Sequence, residues 1–184
     1  MLENIASCQR CKLHQCQAPL LDRPKKGAIM VVGISAKQAN TKSEIPLDNT
    51  TRSGRLVEIM ENISKQYDLE IYRTNLVKCP PLDQNYKIRY PTQHEIEMCF
   101  KNILFEIADL KPRIIILFGS LVQSTFSQFL KLDLKKTTNC SLPFLKEGTC
   151  YYVASYHPSY IMRSSLRKEQ YLTNFSALLK MLFE

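Results

Sequence analysis

Seven cysteines stand in a chain of 184 residues, and three of them crowd into "SCQRCKLHQC", Ser7 to Cys16. Cys8 and Cys11 form a C-x2-C pair, Cys16 follows, and Cys79, Cys99, Cys140 and Cys150 come later. Four chemistries are open for the cluster: a metal clamp, half of a disulfide framework, a redox pair, or coincidence. A disulfide framework belongs to oxidising compartments; in a reducing one, metal and catalytic roles rise. Four thiolates can hold zinc or a [4Fe–4S] cluster. Structural zinc usually takes two tight C-x2-C knuckles. Here the partners of Cys8 and Cys11 would be two single cysteines, Cys79 and Cys99, about a helix apart. That spacing suits a cluster bridging a loop and a helix better than zinc. The competing reading is four unconnected cysteines, two of them in the core. Cys140 and Cys150 read as small buried hydrophobes.

The formal charge is +8. It favours an anionic partner, nucleic acid before acidic membrane. The 45% hydrophobic content is ordinary for a globular protein. The sequence has no run of about 18 apolar residues, which leaves nothing to span a membrane. The opening "MLENIASCQR" has no apolar h-region, so no secretory signal and a cytoplasmic location are expected. The length suggests one domain over residues 1–184, with enough chain to bury a core.

The elements that must position these residues alternate. "GAIMVVG" (Gly27–Gly33), "EIYRTNLV" (Glu70–Val77), "RIIILFG" (Arg113–Gly119) and "YYVASY" (Tyr151–Tyr156) are short apolar runs of the kind buried in parallel sheets. Helical patterns lie at Ser53–Tyr67, at Pro91–Leu110 and in the C-terminal "EQYLTNFSALLKMLF". Strands alternating with helices predict an α/β fold, a parallel sheet covered on both faces. Ligands bind beyond the carboxyl ends of such strands. That places a site among Gly33 and the loop after it, Thr74–Cys79, Gly119–Ser120 and Tyr156–Tyr160.

Taken in order, "CQRCKL", "TNLVKCPP", the Met98–Cys99 pair, "LFGS" and "HPSYIMR" resemble family 4 uracil-DNA glycosylases, the iron–sulfur branch of their superfamily. The likeness runs from Cys8 to about Arg163. It implies a three-layer α/β/α fold with a four-stranded parallel sheet, and a [4Fe–4S] cluster on Cys8, Cys11, Cys79 and Cys99. Cys16 has no counterpart and is a bystander. It also implies base excision repair of DNA, single- or double-stranded, by a monomer that cleaves the N-glycosidic bond of uracil or another deaminated base. Asn75 would read the pyrimidine edge, since an amide donates and accepts at once. His157 would donate to the uracil oxygen as charge builds there. Gly33, Ser35 and Leu47 would line the base pocket. Ser159, Arg163, Arg167 and Lys168 would meet phosphates, and Ile161 or Met162 would wedge into the base stack.

The likeness breaks in one loop. Family members carry a glutamate directly after the first strand's glycine, then a small residue–proline–glycine turn, then a second acid. This chain reads "GISAKQANTKSEIPLDNTTRSGRLV". Ile34 stands at the first acid, Asn40 at the second and Lys37 at the turn glycine. Leu47 stands where the family has a stacking aromatic, and the next helix start needs about two extra residues. Two functions are compatible with this loop. In one, the chain is a glycosylase with Asn40 orienting water, or with Ser35, Lys37, Gln38 or Asp48 doing so. In the other, it is a silent or altered-specificity iron–sulfur protein that binds damaged bases. A redox or electron-transfer iron–sulfur protein is a third reading, disfavoured by the long strand-rich insert between the cysteine pairs.

Overall fold

The computed structural model describes residues 2–41 and 43–184. The chain runs through α1 (Leu2–Ala6), β1 (Ile29–Ser35), α2 (Arg52–Ser64), β2 (Ile71–Val77), α3 (Gln93–Leu110), β3 (Ile114–Phe118) and α4 (Ser120–Leu130). It ends with β4 (Phe144–Glu147), β5 (Cys150–Ser155), α5 (Pro158–Ile161) and α6 (Ser165–Phe183). The strands form one sheet in the order β2-β1-β3-β5-β4. β1 pairs in parallel with β2 and β3, and β3 with β5; β4 is antiparallel to β5.

The central strands are apolar on both faces because both faces are covered. Ile29, Val31, Ile71, Ile114 and Ile116 pack against Leu56 and Met60 of α2 and Tyr171 and Phe175 of α6. Their alternates Met30, Val32, Tyr72, Ile115 and Leu117 pack against Phe100 and Ile103 of α3 and Val122 and Phe126 of α4. The result is the expected three-layer α/β/α arrangement. Local chemistry sets the helix starts: Thr92 and Glu95 form a capping box on α3, and the Thr51 side chain caps α2 by accepting from Gly54 N–H.

Two elements depart from the sequence expectation. The sheet has five strands, not four. The fifth, β4, is four residues long, mostly exposed and half polar, so it carries no buried-strand signature. It exists through its hairpin with β5, turned at Gly148 (φ 58°). Helix α4 is the other addition. Its buried residues, Val122, Thr125 and Phe126, are sparse among serines and glutamines.

Strand order reverses at β1, whose neighbours are β2 on one side and β3 on the other. The carboxyl ends of β1, β2 and β5 therefore border one crevice, where such folds bind ligands.

Candidate active site

Gly33 and Asn75 are register partners on β1 and β2. A Cβ added to Gly33 would run into Asn75 Oδ1 and press on Leu47 at 3.4 Å. Glycine is required there so that the Asn75 amide can lie across the strand end. Asn75 is 3% exposed, yet among the described residues nothing hydrogen-bonds its side-chain amide. At a cavity wall, an amide with no protein partner is left free to donate and accept toward a ligand.

That amide borders a cavity of ≈ 350 Å³ lined by Gly33, Ile34, Ser35, Lys37, Leu47, Thr51, Ser53, Asn75, Ile88, Arg89, Tyr90 and His157. The volume suits a small planar ligand. A second groove adjoins it and shares Ile34, Tyr90 and His157; its other walls include Gly119, Ser120, Lys136, Ser159 and Tyr160. Neither cavity has an Asp or Glu among its described lining residues.

His157 follows β5 and caps α5. Its Nδ1 accepts from the backbone N–H of Ser159 at 3.3 Å and lies 2.7 Å from Ser159 Oγ. A ring nitrogen that accepts a backbone N–H carries no proton, so the neutral ring bears its hydrogen on Nε2. Burial pushes the His157 pKa below the ordinary histidine value, which keeps the ring neutral. The site thus offers an uncharged Nε2–H donor.

Leu47 does line the cavity, with φ 52°, a left-handed backbone rarely taken by a bulky residue. The loop is pinned there from two sides. Arg73 Nη1 donates to Leu47 O at 3.0 Å. A Cβ on Gly54 would overlap the backbone of Leu47 and Asp48, so only glycine lets α2 start so close to the loop. Lys37 ion-pairs with Glu44 at 2.5 Å; that pairing and the Asn40 N–H hold the Glu44 carboxyl below the usual carboxylate range. Asn40 itself is exposed and its N–H donates to Glu44 Oε1 at 2.7 Å. It is not among the cavity-lining residues, because Lys37 and Glu44 close the loop between them. Ile161 is 0% exposed in the core under the sheet and cannot wedge into a base stack; Met162 is half-buried. Arg163 is exposed, whereas Arg167 lies over the Tyr160 ring at 4.1 Å and donates to Tyr160 O at 2.9 Å. Lys168 is half-buried in the first turn of α6, and Ser159 lines the adjoining groove.

Away from the crevice, Cys8, Cys11, Cys79 and Cys99 line one small cavity with Arg10, Lys78 and Asn102. Among the described residues no three His, Cys, Asp or Glu side chains converge as ligands of a single ion. The sulfurs are met by donors. Lys78 N–H donates to Cys99 Sγ at 3.3 Å, and Asn102 Nδ2 reaches both Cys8 Sγ and Cys99 Sγ at 3.6 Å. Arg10 donates to Asn102 Oδ1, but its Nε is buried without a partner. Burial pushes the Cys79 thiol up to about 12 and raises those of Cys11 and Cys99. Cys16 is exposed and outside the cavity; Cys140 is buried and Cys150 half-buried.

Sequence reasoning missed Ile88, Arg89 and Tyr90 on the crevice wall and Arg10 and Asn102 beside the thiols. Asn102 falls on the buried face of α3 three residues after Cys99, a helical spacing that could have flagged it; the others sit in no periodic pattern and are brought in by the fold.

A family model described as the uracil DNA glycosylase superfamily matches residues 19–180. A curated relative from Archaeoglobus fulgidus, a type-4 uracil-DNA glycosylase, is 25% identical over 193 aligned residues, covering 97% of this chain and 89% of its own. Another protein of the same name from Pyrobaculum aerophilum is 24% identical over 91% of this chain and 86% of its own. The family match extends from before β1 almost to the end of α6 and so takes in the whole sheet and its crevice. This chain therefore belongs to the uracil DNA glycosylase superfamily.

Proposed function

We propose that this chain is a DNA repair glycosylase that removes uracil by hydrolysing its N-glycosidic bond. The observation that carries the reading is the pairing of an unpartnered Asn75 amide with a neutral His157 in one base-sized cavity at the strand ends. The activity named for the relatives supports it.

Chemistry on a base requires that it leave the stack. In the cavity, Asn75 would accept from the uracil imide N–H and donate to a ring carbonyl. His157 Nε2–H would bond the other carbonyl oxygen, where negative charge accumulates as the glycosidic bond breaks. With no lining carboxylate to take a proton from water, bond breaking leans on stabilising the departing base. Ser35 and Lys37 would orient the attacking water. Asn40, outside the cavity, has no part in this reading. Ser159, Arg163 and Lys168 would meet the phosphates.

Cys8, Cys11, Cys79 and Cys99 would hold a [4Fe–4S] cluster. Four cysteines around one cavity match the all-cysteine ligand set that such a cluster takes. The orphaned Arg10 Nε–H and the donors from Lys78 and Asn102 suit the sulfur acceptors of such a group. When bound it would supply a structural cross-link. The chain would act as a single-domain monomer in the cytoplasm.

The test is incubation with uracil-containing single- and double-stranded oligonucleotides followed by alkaline strand scission. His157→Ala should lower the rate by about 10²–10³, as loss of a transition-state donor does. Asn75→Asp should cost as much, because a carboxylate repels the anionic ring. Ile34 at the position of the family's acid favours one other outcome: no base release, but binding of uracil-containing DNA that depends on Asn75. That result would make the chain a binder.

A further inference from the structure

Part of the wall of the base cavity comes from a short hairpin after β2, closed by an antiparallel bridge between Leu82 and Ile88. Its frame is rigid. Asp83 Oδ1 accepts from the N–H groups of Asn85 and Lys87 at 2.8 and 2.9 Å. Arg89 grips Glu95 with two bonds of 2.6 and 2.8 Å, donates to Leu82 O at 3.1 Å and donates to Tyr90 O at 3.0 Å. The side chains on this frame are bare. Tyr90 is 75% exposed and Ile88 51%, although both line the cavity. Among the described residues no other aromatic ring or cation packs on Tyr90. The groove's other tyrosines differ: Tyr156 and Tyr160 pair at 4.9 Å, and Tyr160 is covered by Arg167.

We propose that this hairpin is a second binding surface for the substrate strand, on which Tyr90, backed by Ile88, stacks the unpaired nucleotide beside the flipped one. The proposal rests on the glycosylase reading above. Tyr90 borders both the base cavity and the adjoining groove, so it stands where the strand must pass from one to the other. No described carboxylate lines either cavity; Lys37 and Arg89 are paired with Glu44 and Glu95, while Lys136 on the groove wall has no described ion-pair partner and suits a phosphate. A bare ring on a fixed backbone is preorganised for stacking and loses little freedom on binding. Every base offers a π-face, so the contact tolerates any neighbouring sequence. In a duplex the neighbouring base is already stacked and paired. Tyr90 therefore contributes fully only on single strands, and it makes the chain prefer uracil in single-stranded DNA.

The experiment measures binding of an oligonucleotide carrying 2′-fluoro-deoxyuridine, whose glycosidic bond resists cleavage, both single-stranded and in a duplex. Tyr90→Ala should weaken single-strand binding by about tenfold or more, the range found for loss of one base–aromatic stack. It should weaken duplex binding far less, with an unchanged melting temperature because the ring is exposed. Tyr90→Phe should restore single-strand affinity to within about twofold, since the stack needs the ring and not the hydroxyl. Unchanged binding by Tyr90→Ala, failure of Phe to rescue, or equal losses on single strands and duplex would each overturn the proposal. Wild type that binds this DNA but releases no uracil from the same oligonucleotide carrying unmodified deoxyuridine removes the glycosylase reading on which the proposal rests. Wild type that binds no uracil-containing DNA removes both.

Discussion

His157 is where the chemistry is most sensitive to pH. Its Nδ1 accepts a backbone N–H, and protonation would turn that nitrogen into a donor facing a donor. Because burial lowers its pKa, the unfolded chain binds this proton more readily than the folded one. The folded state therefore keeps its full stability above the ordinary histidine value of about 6.5 and loses some as pH falls through the depressed folded value. Single-turnover cleavage should stay level from neutral pH upward and fall only on the acid side. A rate that rose on acidification would mean that the imidazolium is the active form. Gly33 is the second sensitive residue. Gly33→Ala would push the Asn75 amide out of line, since the added Cβ occupies the place of Oδ1. We expect a folded protein, with cleavage reduced by roughly 10²-fold, the effect of displacing a positioned group by about an ångström; circular dichroism and the strand-scission assay separate the two effects.

Among the elements, α3 joins the two halves of the molecule. Cys99 and Asn102 face the thiol cavity, and Glu106, one turn on, is fully buried. Glu106 accepts from Tyr72 Oη at 2.8 Å and from Thr74 Oγ1, and it pairs with Lys78 Nζ at 2.6 Å. Lys78 Nζ also donates to Asn75 O at 2.8 Å, while its backbone N–H reaches Cys99 Sγ. One buried ion pair thus fixes the strand end that carries Asn75. Glu106→Gln would leave the Lys78 charge unpaired, at a cost of about 3–5 kcal/mol, or on the order of 10 °C in melting temperature for a domain of this size. The double variant Lys78→Met, Glu106→Leu removes the unpaired charge but should recover only part of that loss, because the buried Tyr72 and Thr74 hydroxyls lose their acceptor; calorimetry would show it. The sequence makes α3 legible through its apolar stripe behind Pro91 and Thr92, and makes β1, β2, β3 and β5 legible through their aliphatic runs. The strand-end rule points to the loops that carry Asn75 and His157, and both side chains line the crevice. It does not reveal the Lys78–Glu106 pair, because nothing local marks a lysine or glutamate as buried. Nor does it place Asn40, since the path of the loop depends on Lys37 finding Glu44 and on Gly54 admitting the backbone of Asp48.

At the scale of the whole molecule, the +8 charge should appear as steep salt dependence of DNA binding. Each phosphate contact contributes a slope of roughly 0.7–0.9 in log K against log salt. Arg163→Ala and Lys168→Ala should each remove about that much. Arg167→Ala should act differently, because Arg167 covers Tyr160 and holds its carbonyl; loosening the loop after His157 should lower cleavage as well as affinity. The thiol cavity has a consequence of another kind. It ties the first residues of the chain to α3 across long sequence separations: Asn102 touches Cys8 over 94 positions and Arg10 over 92. A cross-link there closes a loop of nearly half the polypeptide, and closing long loops removes much chain entropy from the unfolded state. With the four sulfurs bridged, backbone amides from Cys8 to Leu20 should exchange with deuterium as slowly as the sheet. With Cys8→Ser they should exchange far faster, and a protease should trim the arm up to β1 before it touches the rest.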